Sequence, residues 1–333
     1  MRLVIPLFIP HRGCPHHCLF CNQEGIAGPG DDHGNDALAA EIERWLGFTR
    51  SGARVQVAFY GGSFTCLARE EQRRLLAVVR PYLDNGRVHG LRLSTRPDCL
   101  DDEICQLLRA QGVETVELGV QSLNDRVLQD SGRGHDADQS RRAIRLLQDH
   151  GFEVGVQLLV GLPGETRASF LRGIEEMALL RPSLARLYPL LVLEGSGLAE
   201  RYRRGLYRPL TLAEAVVLCA AAHRRLAAAG VRVVRLGLQP GPALAASYIA
   251  GPFHPAFGEL VRGRLLLVEL RRHLARLPPN RHLYVHISHR DHGQVAGVDG
   301  INFRRLGELG FAGRYTILPE RDRARGSVDY VVG

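Results

Sequence analysis

The sequence predicts an α/β protein built on a parallel sheet. Short β-rich runs alternate with helix-like runs through the first 195 of its 333 residues. Strands that alternate with helices pair in parallel through right-handed crossovers. The unusual residues also fall just after strands, at the C-terminal rim where α/β folds place their function.

The elements follow in order. LVIPLFI (3–9) is the first strand, and apolar residues at helical spacing over 35–48 give the first helix, with Asp36 as its candidate N-cap. VQVAFY (55–60) is a strand and 69–83 a helix; LRLST (91–95) is a strand and 101–111 a helix closed by Gly112. TVELGV (115–120) precedes a helix over 137–150 closed by Gly151, and FEVGVQLLV (152–160) precedes a helix over 166–180. ARLYPLLVL (185–193) is the sixth strand. Six such units close either as an open doubly wound sheet or as a barrel or part of one.

Beyond residue 195 the pattern changes, which divides the chain into 1–195 and a C-terminal α/β extension, 196–333. Residues 196–211 are polar and arginine-rich, 212–230 form a helix closed by Gly230, and VRVVRLGL (231–238) is a strand. PGPALAASYIAGPFHPAF (240–257) reads as a loop, 257–275 as a helix and HLYVHIS (282–288) as a strand.

Hydrophobic residues make up 45% of the chain, enough for a sizeable core, and no segment is of low complexity. All 43 basic side chains are arginine against 35 acidic ones, a net charge of +8. Coding bias toward arginine is the first explanation of such a balance; the second is an anionic partner, nucleic acid or phosphorylated substrate, which arginine suits. The opening MRLVIPLFIP is short and broken by Pro6 and Pro10, so it reads as a strand and not a signal peptide. No segment approaches the ~20 apolar residues of a membrane span. Seven cysteines, an odd number in a long chain, are no disulfide framework. The expectation is a cytoplasmic protein with reduced thiols.

HRGCPHHCLFCNQ (11–23) carries the chemistry. Cys14, Cys18 and Cys21 supply three thiolates within eight positions. A structural zinc site needs a fourth ligand, which His11, His16 or His17 could supply. A [4Fe–4S] cluster held by three thiolates keeps one iron open for a ligand.

C-x3-C-x2-C directly after a first strand resembles the signature of radical S-adenosylmethionine (SAM) enzymes, with Phe20 in the aromatic position before the third cysteine. The resemblance implies a partial (β/α)6 TIM-like barrel over 1–195, with Cys14, Cys18 and Cys21 as metal ligands of a [4Fe–4S] cluster. It implies that S-adenosyl-L-methionine chelates the fourth iron through its amino and carboxylate groups. One electron from the reduced cluster then breaks the C5′–S bond, and the resulting 5′-deoxyadenosyl radical abstracts hydrogen from substrate. The implied partner is an electron donor of flavodoxin or ferredoxin type.

FYGGSFT (59–65) is similar to the superfamily's Gly-Gly-Glu motif, whose backbone holds the SAM amino group. Gly61 and Gly62 match it, and Ser63 stands where Glu is common, which leaves the backbone role. STRPD (94–98), ELGVQS (117–122), SGRGH (131–135) and GLPGET (161–166) resemble the branch that holds the catalytic subunit of elongator, a tRNA-modifying enzyme. By that resemblance Thr95, Gln121 and Arg133 contact SAM, with Arg133 at its carboxylate, and Gly161 and Pro163 shape the adenine edge. Gln157, just before GLPGET, joins them at the barrel top. The likeness covers roughly residues 3–215, and GLPGET and GVQS are shared with oxygen-independent coproporphyrinogen oxidases. No segment resembles elongator's acetyltransferase domain, so acetyl transfer is not carried over. A radical SAM enzyme acting on RNA or tRNA is expected. The alternatives are a cluster- and SAM-binding carrier or chaperone, as for haem, and a zinc-stabilised RNA-binding module.

Cys66 reads as a buried inert thiol, and Cys99, Cys105 and Cys219 as core. His282 and His286 share one face of a strand, as a second metal site or as polar surface. GPFHPAF (251–257) is either a substrate-shaping loop or a connector. Arg201, Arg203, Arg204 and Arg208, interleaved with Tyr202 and Tyr207, suit RNA or a solvated face.

Overall fold

The strands β1 (Arg2–Phe8), β2 (Arg54–Tyr60), β3 (Gly90–Thr95), β4 (Val113–Gln121), β5 (Glu153–Val160) and β6 (Leu184–Pro189) pair in parallel, each beside the one before it. β7 (Val192–Leu193) leaves this sheet, and β8 (Arg232–Leu236) pairs with β6 as its seventh parallel strand. A doubly wound sheet reverses its strand order partway. Here the order never reverses, so successive right-handed crossovers carry the helices to one face and the sheet curls into a partial barrel. That resolves the two closures left open by the sequence. The seventh strand lies beyond the six-unit count. The computed structural model from which this follows describes residues 2–9, 12–22, 34–50 and 52–333.

The connecting helices are α1 (Asn35–Leu46), α2 (Arg69–Asp84), α3 (Asp102–Ala110), α4 (Asp125–Asp130), α5 (Ala137–Asp149) and α6 (Arg167–Leu180), followed by α7 (Gly197–Arg203) and α8 (Leu212–Ala228). Capping decides where several begin. Asp136 and Gln139 form a capping box at α5, Thr166 and Ser169 at α6, and Thr211 and Glu214 at α8. Asp36 is not the N-cap of α1: Gly34 holds that position and Asp36 sits in the first turn, where its charge suits the helix dipole. The Gly/Pro-rich stretch after β8 is not a plain loop. It forms α9 (Pro242–Ser247), which starts on a proline, and β9 (Tyr248–Ala250), which pairs antiparallel with β7.

The chain divides into two compact units, 1–215 with 225–253, and 216–224 with 254–333. In the second, β10 (Leu283–Ser288) lies between β11 (Tyr315–Glu320) and β12 (Val328–Val332). Leu283, Val285 and Ile287 alternate onto the face that packs with Leu267, Leu270 and Leu274 of α10 (Phe257–Arg276). His282 and His286 take the other parity and have strand neighbours as partners: His282 Nε2 meets Thr316 Oγ1 at 2.9 Å and His286 Nδ1 meets Glu320 Oε1 at 2.5 Å. Among the described residues no three His, Cys, Asp or Glu side chains form a metal-binding group. No helix among them is long and apolar enough to cross a membrane.

One half-buried carboxyl in the first unit gives a pH signature. Glu165, in the GLPGET turn, accepts the Gly161 N–H at 3.0 Å. Burial pushes its carboxyl up to about 7, against the pull of the Gly161 and Leu162 N–H groups and the Ser122 hydroxyl. The folded chain therefore prefers the neutral acid. That contribution is complete below the ordinary glutamate range near pH ~4 and is lost as pH rises through about 7. Urea titrations of wild type and Glu165→Gln at pH 4.5 and pH 8 should differ in slope with pH. The variant is expected to lose on the order of 2 kcal/mol less across that interval. Equal losses in both proteins would remove Glu165 as the cause.

Candidate active site

The cysteine loop follows β1 and is clamped by the loops beside it. Ser63 N–H donates to Arg12 O at 2.9 Å, so the loop after β2 lies backbone to backbone against the cysteine loop. A Cβ on Gly62 would sit 2.4 Å from Arg12 O and 2.6 Å from Ile9 O, and one on Gly13 would sit 2.3 Å from Ser63 O. Gly62 is required here by packing against the residues before Cys14, a different reason from the approach of a ligand. On the other side Leu19 N–H donates to Ser131 O at 2.9 Å, and Leu198 N–H at the start of α7 donates to Leu19 O at 2.7 Å.

The SGRGH loop brings Arg133 to the sulfur of Cys18. Its Nη1 donates to Cys18 Sγ at 3.3 Å and its Nη2 to Gly119 O at 2.7 Å. A Cβ on Gly119 would lie 2.8 Å from Arg133 Nη2, so the glycine of ELGVQS makes room for this guanidinium. Arg133 is 6% exposed, and its Nε–H is buried without an acceptor among the described residues. Arg96 of STRPD positions the loop. It forks onto Asp98 with two bonds of 2.9 Å and donates to Arg133 O at 2.7 Å. Burial and the nearby arginines push the His135 imidazole down to about 3, so this residue of SGRGH is neutral.

A cavity of about 550 Å³ opens at this rim. Cys14, Cys18 and Cys21 line it, together with Phe20, Gly61, Gly62, Ser63, Thr95, Gln121, Arg133 and Gln157. Ser63 Oγ lies 3.5 Å from Cys14 Sγ, and Thr95 Oγ1 lies 2.6 Å from Thr65 Oγ1. Gln121 ends β4 with φ +66°, a left-handed backbone that costs a non-glycine residue and marks functional turns. Gln157 Nε2 donates to Ser94 Oγ at 3.3 Å. Gly161 and Pro163 are not in the cavity wall; the Gly161 carbonyl accepts the Tyr207 hydroxyl at 2.7 Å. Tyr207 is half-buried and packs against an apolar cluster, and Arg203 pairs with Glu194. His11 lies outside the described residues.

Two cysteine expectations need correction. Cys66 and Cys99 are joined by a disulfide. They are 33 residues apart, but each follows the C-terminal end of one of two adjacent parallel strands, β2 and β3, which brings their Cα atoms to 5.3 Å. Neither is an inert thiol or a plain core residue, and the chain is not without a disulfide. Cys105 and Cys219 are buried free thiols, as expected of core.

Sequence reading missed a buried charge cluster beneath the cavity, of which Arg186 reaches the cavity wall. Arg92 of β3, Glu117 of β4 and Arg186 of β6 each interrupt an apolar run, which is the signal that could have found them. Glu117 is fully buried; it accepts Arg92 Nη1 at 2.7 Å, Arg186 Nη2 at 2.8 Å and the Tyr60 hydroxyl at 2.9 Å. Despite the burial, Arg186 and Arg92 hold the Glu117 carboxyl below the usual carboxylate range. Tyr60, Arg186, Tyr188 and Arg235 reach the cavity wall.

The side chains of Cys14, Cys18 and Cys21 line one cavity without converging on a single metal position; with a guanidinium N–H on a cysteine sulfur and an unsatisfied buried donor beside it, their chemistry suits an iron–sulfur group and an anionic ligand. Comparison with known proteins agrees. Residues 8–177 match the model of the radical SAM superfamily, and 182–266 match the radical SAM C-terminal domain. An uncharacterised protein of Methanocaldococcus jannaschii is 30% identical over 210 residues, 60% of this chain and 64% of that protein. A tRNA uridine(34) acetyltransferase of the same organism is 37% identical over 134 residues, 39% of this chain and 25% of that enzyme. The chain thus spans from a quarter to just under two thirds of these relatives. The archaeal Methanocaldococcus infernus Elp3 structure shares the fold, with a TM-score of 0.65 and 24% identity, over 85% of this chain and 70% of that one.

Proposed function

Since the chain belongs to the radical SAM superfamily, we propose that it is an enzyme holding a [4Fe–4S] cluster on Cys14, Cys18 and Cys21 and using SAM to modify a substrate. The observation that carries this is that the three thiols, the Gly61–Gly62 turn and Arg133 line one cavity. Cys14, Cys18 and Cys21 would hold the cluster, which would supply one electron for the reductive cleavage of SAM.

The chain's own residues bind, orient and exclude water. Cys14, Cys18 and Cys21 are the ligands. Arg133 keeps its donor on the Cys18 sulfur, and its free Nε–H suits the SAM carboxylate. Gly61 turns with φ +94°, which exposes backbone to the cavity where the SAM amino group binds. Thr95, Gln121 and Gln157 contribute hydrogen bonds along the rim. Leu190, Leu191 and Leu193 supply an apolar wall that keeps solvent from a reactive intermediate. An RNA or tRNA base is the substrate we favour; the likeness to a tRNA-modifying enzyme and the +8 charge support it. A flavodoxin- or ferredoxin-type donor in the cytoplasm completes the reading.

The test is anaerobic. Wild type and a Cys14→Ala, Cys18→Ala, Cys21→Ala variant are reconstituted with iron and sulfide, reduced with dithionite and given SAM. Wild type alone is expected to take up about four irons per chain and to release 5′-deoxyadenosine. Uptake of zinc without a cluster would sink the proposal. Tight SAM binding without cleavage, with or without total RNA, would favour a carrier role.

A further inference from the structure

Among the described residues, the cavity wall contains three arginines, Arg133, Arg186 and Arg235, and no aspartate or glutamate side chain. Two of the three are already engaged. Arg133 donates to Cys18 Sγ and Gly119 O, and Arg186 is held by the buried Glu117 beneath it, its Nε 2.5 Å and its Nη2 2.8 Å from the carboxylate. Arg235 is different. It stands on β8, next to Arg186 in register, and donates only to neutral oxygens: Gly237 O at 3.0 Å and Gln239 Oε1 at 2.6 Å. No carboxylate pairs with it among the described residues. A half-buried guanidinium beside a second one, with no counter-charge, is unfavourable unless an anion arrives from outside. Leu190, Leu191 and Leu238 line the same cavity, so part of its wall is apolar.

We propose that the seventh-strand end of the cavity binds an oxyanion of the substrate, a phosphate or a carboxylate, through Arg235. Arg235 presents a planar fork that matches either group with two parallel bonds. The cysteines line the same cavity, so the anion anchors the substrate while its apolar or planar body lies toward the reacting centre. Arg235 is a specificity-determining residue, and it sets the substrate class as one with an oxyanion. The proposal rests on the radical SAM reading for which group reacts, but the charge argument is independent of it.

The test uses the full chain without cluster or SAM, so that it reads anion binding and no activity. Inorganic phosphate and succinate are titrated separately at constant ionic strength, by calorimetry and by the shift in thermal midpoint. Wild type is expected to bind at least one probe. Arg235→Gln should weaken that binding by about ten- to a hundred-fold, and Arg235→Lys should restore part of it. Without anion, Arg235→Gln should unfold at or above the wild-type midpoint, because it removes the unpaired charge, and in separate reconstitutions both variants should keep the wild-type iron uptake. Binding of phosphate alone assigns a phosphorylated substrate; binding of succinate alone assigns a carboxylate. If wild type binds neither, or Arg235→Gln binds as well as wild type, the proposal is overturned, whatever the iron content. Failure to take up iron would overturn the radical reading and leave the anion result standing.

Discussion

Replacing Glu117 with alanine is expected to destabilise the folded chain by about 3–5 kcal/mol. Glu117 is fully buried and is the acceptor for Arg92, Arg186 and Tyr60. Its removal leaves two guanidinium groups in the barrel interior, with Arg92 only 4% exposed. Their attraction to the carboxylate no longer offsets their desolvation, and the Tyr60 hydroxyl loses its acceptor. Glu117→Gln keeps an oxygen for hydrogen bonds and loses the charge, so it should cost less. Glu117→Ala combined with Arg186→Met should recover part of the loss, because the second change removes one stranded charge. The sign with pH follows from the depressed carboxyl: its contribution is present above the ordinary glutamate range and lost as pH falls below about 4. Urea unfolding of the four proteins at pH 7, with wild type also at pH 3.5, measures all of this. A loss under about 1 kcal/mol for Glu117→Ala would mean that water reaches and solvates the arginines.

The second large effect is expected from the bond between Cys66 and Cys99. It closes 33 residues of chain, which in the chain-entropy account contributes about 3–4 kcal/mol. Cys66→Ser with Cys99→Ser should lower the unfolding midpoint accordingly. Reductant should lower wild type by the same amount and leave the variant unmoved. The site should feel it as well. Thr65 and Thr95 already join the two loops by a 2.6 Å bond between their hydroxyls, and β3 pairing with β4 also holds Thr95; without the disulfide the loop after β2 loses its covalent tie to the loop after β3, so SAM should bind more weakly. Counting thiols in denatured, unreduced protein gives the direct check: five before reduction and seven after. Seven before reduction would show that the pairing does not form in solution.

The local features of this protein were legible in its residues. Strand and helix alternation and the glycine stops at Gly112, Gly151 and Gly230 depend on neighbours a few positions away, although the one cap read from sequence, Asp36, sits in the first turn and not at the N-cap. The cysteine spacing is just as local, and it pointed to the rim where Cys14, Cys18 and Cys21 now line one cavity. Motifs spread from Cys14 to Thr166 also carried their order along the chain, because most of them follow a strand of their own.

What only the tertiary structure decided depends on register between strands. Whether six units curl or lie open follows from strand order, and no single unit contains it. Which face of β6 carries Arg186, and that it meets Glu117 from β4, requires pairing through β5. Cys66 and Cys99 become neighbours through the pairing of β2 with β3, although 33 residues separate them. Gly62 and Gly119 belong to recognisable motifs, yet their reasons, a carbonyl of the cysteine loop and the guanidinium of Arg133, come from other segments. Sequence determines what each residue can do locally. Its charge balance, its counter-ion and its distance from a sulfur are sums over the neighbours that folding supplies.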